Sequence, residues 1–218
     1  MPAVANSRDQ SFAALRRFAA PRSPLERCEL CAAALAHEHS HLLELASRQI
    51  VCACEACSTL FDARTGGKYK RVSRRALCLA GVRISDAQWE GLLIPINMAF
   101  FSYSSSQGRT IALYPSPAGA VESLLSLDMW SGIVKENPIL NSLEADTEAL
   151  LVNRVRLAHE TGEAEYYLAP IDECYKLVGL IRTHWKGLSG GNEVWIEIAK
   201  FFAALKTRAE IVNGGSNA

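Results

Sequence analysis

Residues 28–57 read CELCAAALAHEHSHLLELASRQIVCACEAC, and this stretch decides how the N-terminal part of the chain folds. It contains two CxxC pairs, Cys28 with Cys31 and Cys54 with Cys57, which are separated by 22 residues. Two residues between cysteines allow both sulfurs to face one ion, and two such pairs supply the four thiolates of a tetrahedral zinc site. The spacing predicts a small zinc ribbon over residues 25–67, with strands near 41–46 and 48–51 bringing the pairs together.

Three more residues of this segment are reserve ligands. Cys52 lies two positions before Cys54, and either sulfur can be the third ligand, although Cys54 completes a CxxC pair. His39 or His41 can replace a thiolate, and the alternative is that both histidines are solvated side chains near the hairpin turn. Free, buried cysteines without a metal are the remaining alternative for the whole segment.

Zinc is the metal that this pattern favours, because four thiolates close the shell of a structural zinc ion. An iron centre of the rubredoxin type also uses two CxxC pairs, and iron is therefore the alternative. Rubredoxin pairs usually carry Gly and Pro beside their cysteines. In this chain those positions hold Glu29, Leu30, Glu55 and Ala56.

Composition and charge exclude some classes of function. The chain has 218 residues, enough for one sizeable core and a small added module. Lysine plus arginine equals aspartate plus glutamate, 23 against 23, which argues against bulk attraction to nucleic acid or an anionic membrane. The sequence has no run of about 18 apolar residues that would span a membrane, and residues 1–20 lack the pattern of a secretory signal. We therefore expect a cytoplasmic protein whose cysteines remain thiols or metal ligands.

Beyond the ribbon, the pattern predicts an α+β domain over residues 68–212. Strand and helix patterns are interleaved, and the last part is helical, which predicts an antiparallel sheet packed against C-terminal helices. Residues 1–24 are expected to be a flexible lead-in, and residues 213–218 a disordered tail. Strands are expected at 68–73, 96–103, 110–114, 149–155 and 165–168, and helices at 86–92 (with Ser85 and Gln88 as a capping box), 128–136, 170–185 and 194–205.

The second region shows no catalytic signature, because no nucleophile–base–acid set, HExxH motif or convincing carboxylate pair occurs in it. Residues 68–75 include a basic run that can contact phosphates, and zinc ribbons do occur in nucleic-acid-binding proteins. At zero net charge, a solvated strand edge guarded by positive charges is the favoured interpretation. We assign no catalytic residue and expect no nucleic-acid partner.

Six short segments follow one another along the chain and together indicate a relationship. With these segments, over about residues 25–207, the chain resembles an uncharacterised bacterial family that is encoded beside nickel–iron hydrogenase genes. The resemblance implies a role in assembling, maturing or supporting a hydrogenase, and it implies no catalytic residues. The segments are Glu26-Arg-Cys-Glu-Leu-Cys31, His39-Ser-His-Leu-Leu43, Cys52-Ala-Cys-Glu-Ala-Cys57, Ala112-Leu-Tyr-Pro-Ser-Pro-Ala-Gly119, Leu150-Leu-Val-Asn-Arg154 and the stretch from Leu177 to Gly191.

Taken together, these features predict a non-catalytic, zinc-binding accessory protein. Its α+β domain is expected to offer a protein-binding surface to hydrogenase subunits or maturation factors. Two alternatives stay open at this point: a rubredoxin-like iron protein that transfers electrons, and a zinc-ribbon protein that binds nucleic acid.

Overall fold

The computed structural model describes residues 26–62, 67–124, 127–155, 163–187 and 189–213. The lead-in expected at residues 1–24, and residues 214–218 of the tail expected at 213–218, lie outside the described residues. Helices and strands are interleaved along the chain, so the protein is of the α+β class, as predicted.

The elements carry labels in chain order. The strands are β1 (Ser40–Glu44), β2 (Gln49–Ala53), β3 (Tyr69–Arg71), β4 (Leu77–Leu79), β5 (Met98–Ser104), β6 (Arg109–Ser116), β7 (Gly119–Ser123), β8 (Glu148–Asn153), β9 (Glu165–Pro170) and β10 (Glu210–Val212). The helices are α1 (Glu55–Leu60), α2 (Asp86–Gly91), α3 (Leu127–Glu136), α4 (Ile171–His184) and α5 (Gly191–Arg208), with a 3-10 helix at Pro138–Ser142.

The smaller sheet has three strands in the order β2-β1-β3, and both pairs are antiparallel. The β1–β2 hairpin confirms the strand pair that the cysteine spacing requires. Its register places His41 directly opposite Cys52 and Ser40 opposite Ala53. Strand β3 joins the same sheet, so residues 69–71 extend the N-terminal hairpin. The domain boundary at residue 67 stays a prediction.

The larger sheet has seven strands in the order β10-β4-β9-β8-β5-β6-β7. All neighbouring strands are antiparallel except β10 and β4, which are parallel, so the predicted antiparallel sheet is in fact mixed. The parallel pair forms because α5 returns the chain to the edge of the sheet, where Glu210 N donates to Ala76 O at 3.0 Å. Strands β4 and β10 have three residues each, too few to show the alternation of apolar and polar residues by which a strand is recognised in a sequence.

Helices cover both faces of the larger sheet. On one face, Leu177 of α4 packs with side chains of α5 and with Tyr167 of β9. On the other face, Trp89 of α2 and Trp130 of α3 surround Phe101, whose ring stacks on Trp130 with centroids 4.7 Å apart. We expected only the C-terminal helices to cover the sheet. The second layer exists because β5 and β8 are almost wholly buried, so their side chains need apolar partners on both faces.

The smaller sheet lies against the α4 side of the larger one. Leu43 of β1 and Val72, just after β3, belong to the same buried cluster as the side chains of α4 and α5. His41 Nδ1 is 2.6 Å from Asp172 Oδ2 in the first turn of α4, and Lys70 donates to a backbone carbonyl in the 143–147 segment. These contacts hold the cysteine-bearing hairpin against the rest of the protein.

A buried carboxylate joins β8 to the segment between β3 and β4. Glu148 is almost fully buried, and Arg75 binds both of its oxygens, with Nε 3.0 Å from Oε1 and Nη2 2.6 Å from Oε2. Ser73 Oγ and Glu144 N each donate a further hydrogen bond of 2.9 Å. A buried charge is tolerated only when it is paired in this way.

Arg75→Met leaves the Glu148 carboxylate buried without its cation. We expect the free energy of unfolding to fall by about 2–3 kcal/mol, the cost of an unsatisfied buried charged group. Arg74→Met is the matched control, because Arg74 is exposed and hydrogen-bonds only the Ser40 hydroxyl at 3.3 Å among the described residues. Its effect should stay within about 0.5 kcal/mol in urea unfolding. Equal effects of the two substitutions would contradict this assignment.

Candidate metal centre

The first CxxC pair lies in a tight turn before β1. Ala32 N donates to Cys28 O at 2.7 Å, and Ala32 has a φ of 61°, in the left-handed region. This conformation reverses the chain immediately after Cys31. Glu29 N donates to Cys52 O at 2.9 Å, so the turn is attached directly to β2.

The second CxxC pair begins helix α1. Cys54 precedes the helix, and its sulfur accepts a hydrogen bond from Cys57 N at 3.5 Å, as the side chain of an N-cap residue does. Glu55, in the first turn, accepts hydrogen bonds from Ser40 Oγ at 2.9 Å and from Arg71 Nη2 at 2.7 Å. The start of the helix is thereby fixed to β1 and β3.

The four cysteines predicted from their spacing lie together. Their sulfur atoms are all within 4.8 Å of one another, and Cys31 Sγ is 3.7 Å from Cys54 Sγ. Zn–S bonds of about 2.3 Å in a tetrahedron place the sulfurs about 3.8 Å apart. The four sulfurs can therefore bind one ion after shifts of about 1 Å at most. The isolated cysteines, Cys78 in β4 and Cys174 in α4, are not part of this cluster.

The apolar core around the cluster is small. The cluster has a buried side and an open side, since two of its sulfurs belong to buried residues and Cys31 is exposed. Few apolar contacts are available to stabilise such a module, so a metal cross-link would supply much of its folding free energy. The five buried residues of this core are Cys28, Leu35, Leu42, Ala53 and Cys57.

The thiols of the cluster differ in how readily they lose a proton. Burial acts to raise the pKa of Cys28, but hydrogen bonds from backbone N–H groups, the largest from Cys54, outweigh it and lower this pKa to about 6. Burial and hydrogen bonds with neighbouring thiols raise the pKa of Cys57 to about 12. The hydrogen bonds around Cys28 therefore favour its thiolate form, which is the form that binds a cation, and the surroundings of Cys57 favour its thiol form.

The reserve ligands form a group of their own. Cys52 Sγ and one ring nitrogen each of His39 and His41 lie within 4.8 Å of one another, apart from the four-cysteine cluster. Burial, followed by the charges of Glu29 and Glu26, raises the pKa of Cys52 to about 11. The three reserve residues thus lie in a group separate from the four clustered cysteines.

Four thiolates around one ion leave no coordination position for water or a substrate. Such a site stabilises a fold or, with iron, carries an electron, but it does not activate a bound substrate. The spacing of the sulfurs alone suits several metal ions and does not select one of them.

The family model that matches this chain covers residues 27–209 and describes a family of unknown function, DUF5947. The chain belongs to this family. The matched region includes both CxxC pairs and nearly all of the larger sheet with its helices. No curated protein and no solved structure matches the chain. None of the helices in the described ranges has the length and apolar content needed to cross a bilayer.

Two carboxylates bind residues of the reserve group although the sequence pattern assigned them no such role. Glu29, inside the first CxxC pair, accepts a hydrogen bond from Cys52 N at 2.7 Å. Asp172 accepts from His41 Nδ1 at 2.6 Å, across 131 positions of the chain. Glu29 could have been suspected from its place between two ligands, whereas nothing in the sequence connects Asp172 with His41.

Cys31→Ser removes a sulfur from the exposed side of the cluster and leaves the buried packing intact. We expect the variant to lose its bound metal and to become sensitive to protease within residues 26–62, since metal-binding energy is folding energy in such a module. Cys78→Ser, in β4, is the matched control and should keep both properties. Metal analysis and limited proteolysis measure the two effects. Retention of metal and of protease resistance by Cys31→Ser would show that the four-cysteine assignment is wrong.

Proposed function

We propose that the protein is a non-catalytic accessory protein whose N-terminal part is a zinc ribbon held by Cys28, Cys31, Cys54 and Cys57. One observation carries the metal assignment: the four sulfurs lie within 4.8 Å of one another on two turns that a β-hairpin brings together. A closed shell of four thiolates gives the ion a structural role.

Residues within the CxxC pairs favour zinc over iron. Glu29 and Glu55 occupy positions beside the cysteines where rubredoxin-type pairs usually have Gly and Pro. Both carboxylates are engaged in hydrogen bonds to the neighbouring strands, Glu29 with Cys52 N and Glu55 with Ser40 Oγ. These hydrogen bonds fix both CxxC turns to the sheet, as expected of a site that stabilises the fold.

A protein-binding role is supported by apolar side chains that are exposed beside the ribbon. Leu60 and Phe61, at the end of α1, are 77% and 42% exposed. Single exposed apolar residues are ordinary, but adjacent ones on a rigid element can form the centre of a protein interface. We call Leu60 and Phe61 the ribbon-edge surface.

The basic run that follows the ribbon offers little free positive charge to a nucleic acid. Most of its cations face a carboxylate, and such pairing reduces their attraction for phosphate. We therefore propose a protein partner in preference to a nucleic acid. The pairs are Lys68 with Glu44, Lys70 with Glu144, Arg71 with Glu55 and Arg75 with Glu148.

The proposed partner is a hydrogenase subunit or a hydrogenase maturation factor. This part of the proposal rests on the six sequence segments and their resemblance to a family encoded beside nickel–iron hydrogenase genes. The family match itself carries no function.

Capture of hydrogenase components by the purified, tagged protein tests the proposal. We expect a hydrogenase subunit or maturation factor to be retained, and Leu60→Asp with Phe61→Asp to weaken this binding at least about tenfold, because burying an unpaired charge at an interface centre costs more than 1.4 kcal/mol. Ile196→Asp is the matched control, since Ile196 is an exposed apolar residue of α5. Its binding should equal that of the wild type.

Two results would contradict the proposal. If no hydrogenase component is retained by the metal-loaded wild-type protein, the partner is wrong. If Ile196→Asp weakens capture as much as the double substitution does, the ribbon-edge surface is not the interface.

A further inference from the structure

A second group of side chains of metal-ligating types lies beside the four-cysteine cluster and shares no residue with it. His41 and Cys52 face each other across the β1–β2 pair, and His39 immediately precedes β1. One ring nitrogen of each histidine and the sulfur of Cys52 are mutually within 4.8 Å. A tetrahedral site with Zn–N bonds of about 2.0 Å and a Zn–S bond of about 2.3 Å needs separations of about 3.3–3.6 Å, so the three groups are close to that arrangement.

The hydrogen bond of His41 leaves one nitrogen suited to a metal. Its Nδ1 is 2.6 Å from Asp172 Oδ2, and a carboxylate can only accept a hydrogen bond, so Nδ1 carries the proton. In the neutral ring Nε2 then has its lone pair free. A carboxylate that orients a histidine through its other nitrogen is the usual support of a metal-binding imidazole.

His39 has the same arrangement, and its free nitrogen is buried. Its Nδ1 is 3.0 Å from the Ala36 carbonyl oxygen, which can only accept, so the proton again lies on Nδ1. The side chain is only 7% exposed. Its Nε2 is buried and has no hydrogen-bond partner among the described residues. A buried acceptor without a partner is unfavourable, and a bound cation would satisfy it.

We propose that His39 Nε2, His41 Nε2 and Cys52 Sγ bind a second metal ion, a divalent ion such as Zn²⁺. The mixture of two imidazoles and one thiolate is a ligand set that such ions accept. On binding, the Cys52 thiol releases its proton to solvent and the sulfur binds the ion as a thiolate. Three protein ligands leave the fourth position open to water or to a group from another molecule.

This second site differs from the first in its chemistry. The four-cysteine cluster has a closed shell, whereas the three-ligand site has an open position and therefore exchanges its ion and accepts an outside ligand more readily. One hydrogen bond connects the two groups of ligands. Glu29, which lies between Cys28 and Cys31, accepts it from Cys52 N at 2.7 Å. The inference does not depend on the accessory role proposed above.

Equilibrium dialysis of the full chain against buffered free Zn²⁺ tests the second site. We expect two equivalents bound per wild-type chain and one equivalent bound by the double variant His39→Gln with His41→Gln, which keeps all four cysteines of the first cluster. His37→Gln is the matched control, because His37 is an exposed histidine of the same loop outside the trio, and it should bind two. A wild-type capacity of one equivalent overturns the proposal, as does a double variant that binds as much as the wild type.

Asp172 provides a second test that leaves the buried His39 untouched. Asp172 is a positioning residue, and Asp172→Ala should weaken binding of the second equivalent about 10- to 100-fold while the first equivalent stays bound. Asp172→Asn, whose amide oxygen can still accept from His41 Nδ1, should recover part of this loss. Unchanged affinity for the second equivalent in Asp172→Ala would overturn the proposed support of His41.

Discussion

The pairing of β1 with β2 is the interaction on which both proposed metal sites depend. Its register sets His41 opposite Cys52 and ends β2 one residue before Cys54. The hydrogen bond from Glu29 N to Cys52 O then attaches the first CxxC turn to the same strand. A slip of one residue would turn the side chains of one strand to the opposite face and separate both groups of ligands. An ion bound at either proposed site would therefore stabilise the hairpin, and the formed hairpin would favour binding of the ion.

Features that depend on neighbouring residues could be predicted from the sequence. Two residues between cysteines indicate a metal-binding turn, and both predicted pairs come together in the structure. The capping box of Ser85 and Gln88 is present at the start of α2, where the sequence places it. The hairpin of β5 and β6 likewise follows from apolar runs on either side of a polar turn. In each case the pattern that allows the prediction is local: the spacing within a CxxC pair, the spacing of Ser85 and Gln88, or the polar turn between two apolar runs.

Features that depend on distant residues could not be predicted. Strands β4 and β10 have three residues each and acquire their partners only when α5 returns the chain to the sheet. Glu148 looks like an ordinary surface acid in the sequence, and its burial depends on Arg75, 73 positions away. The spacing alone also cannot separate Cys52 from Cys54. In the structure the strand register places Cys52 opposite His41, in the group with the histidines and apart from the four clustered cysteines.

X-ray absorption at the metal edge tests most directly the claim that four sulfurs hold a structural zinc ion. The measurement uses the full chain after a mild chelator has removed readily exchangeable metal. We expect zinc to be the retained metal, with four sulfur neighbours at about 2.3 Å. Iron at this site, or a shell that contains nitrogen and fewer than four sulfurs, would contradict it.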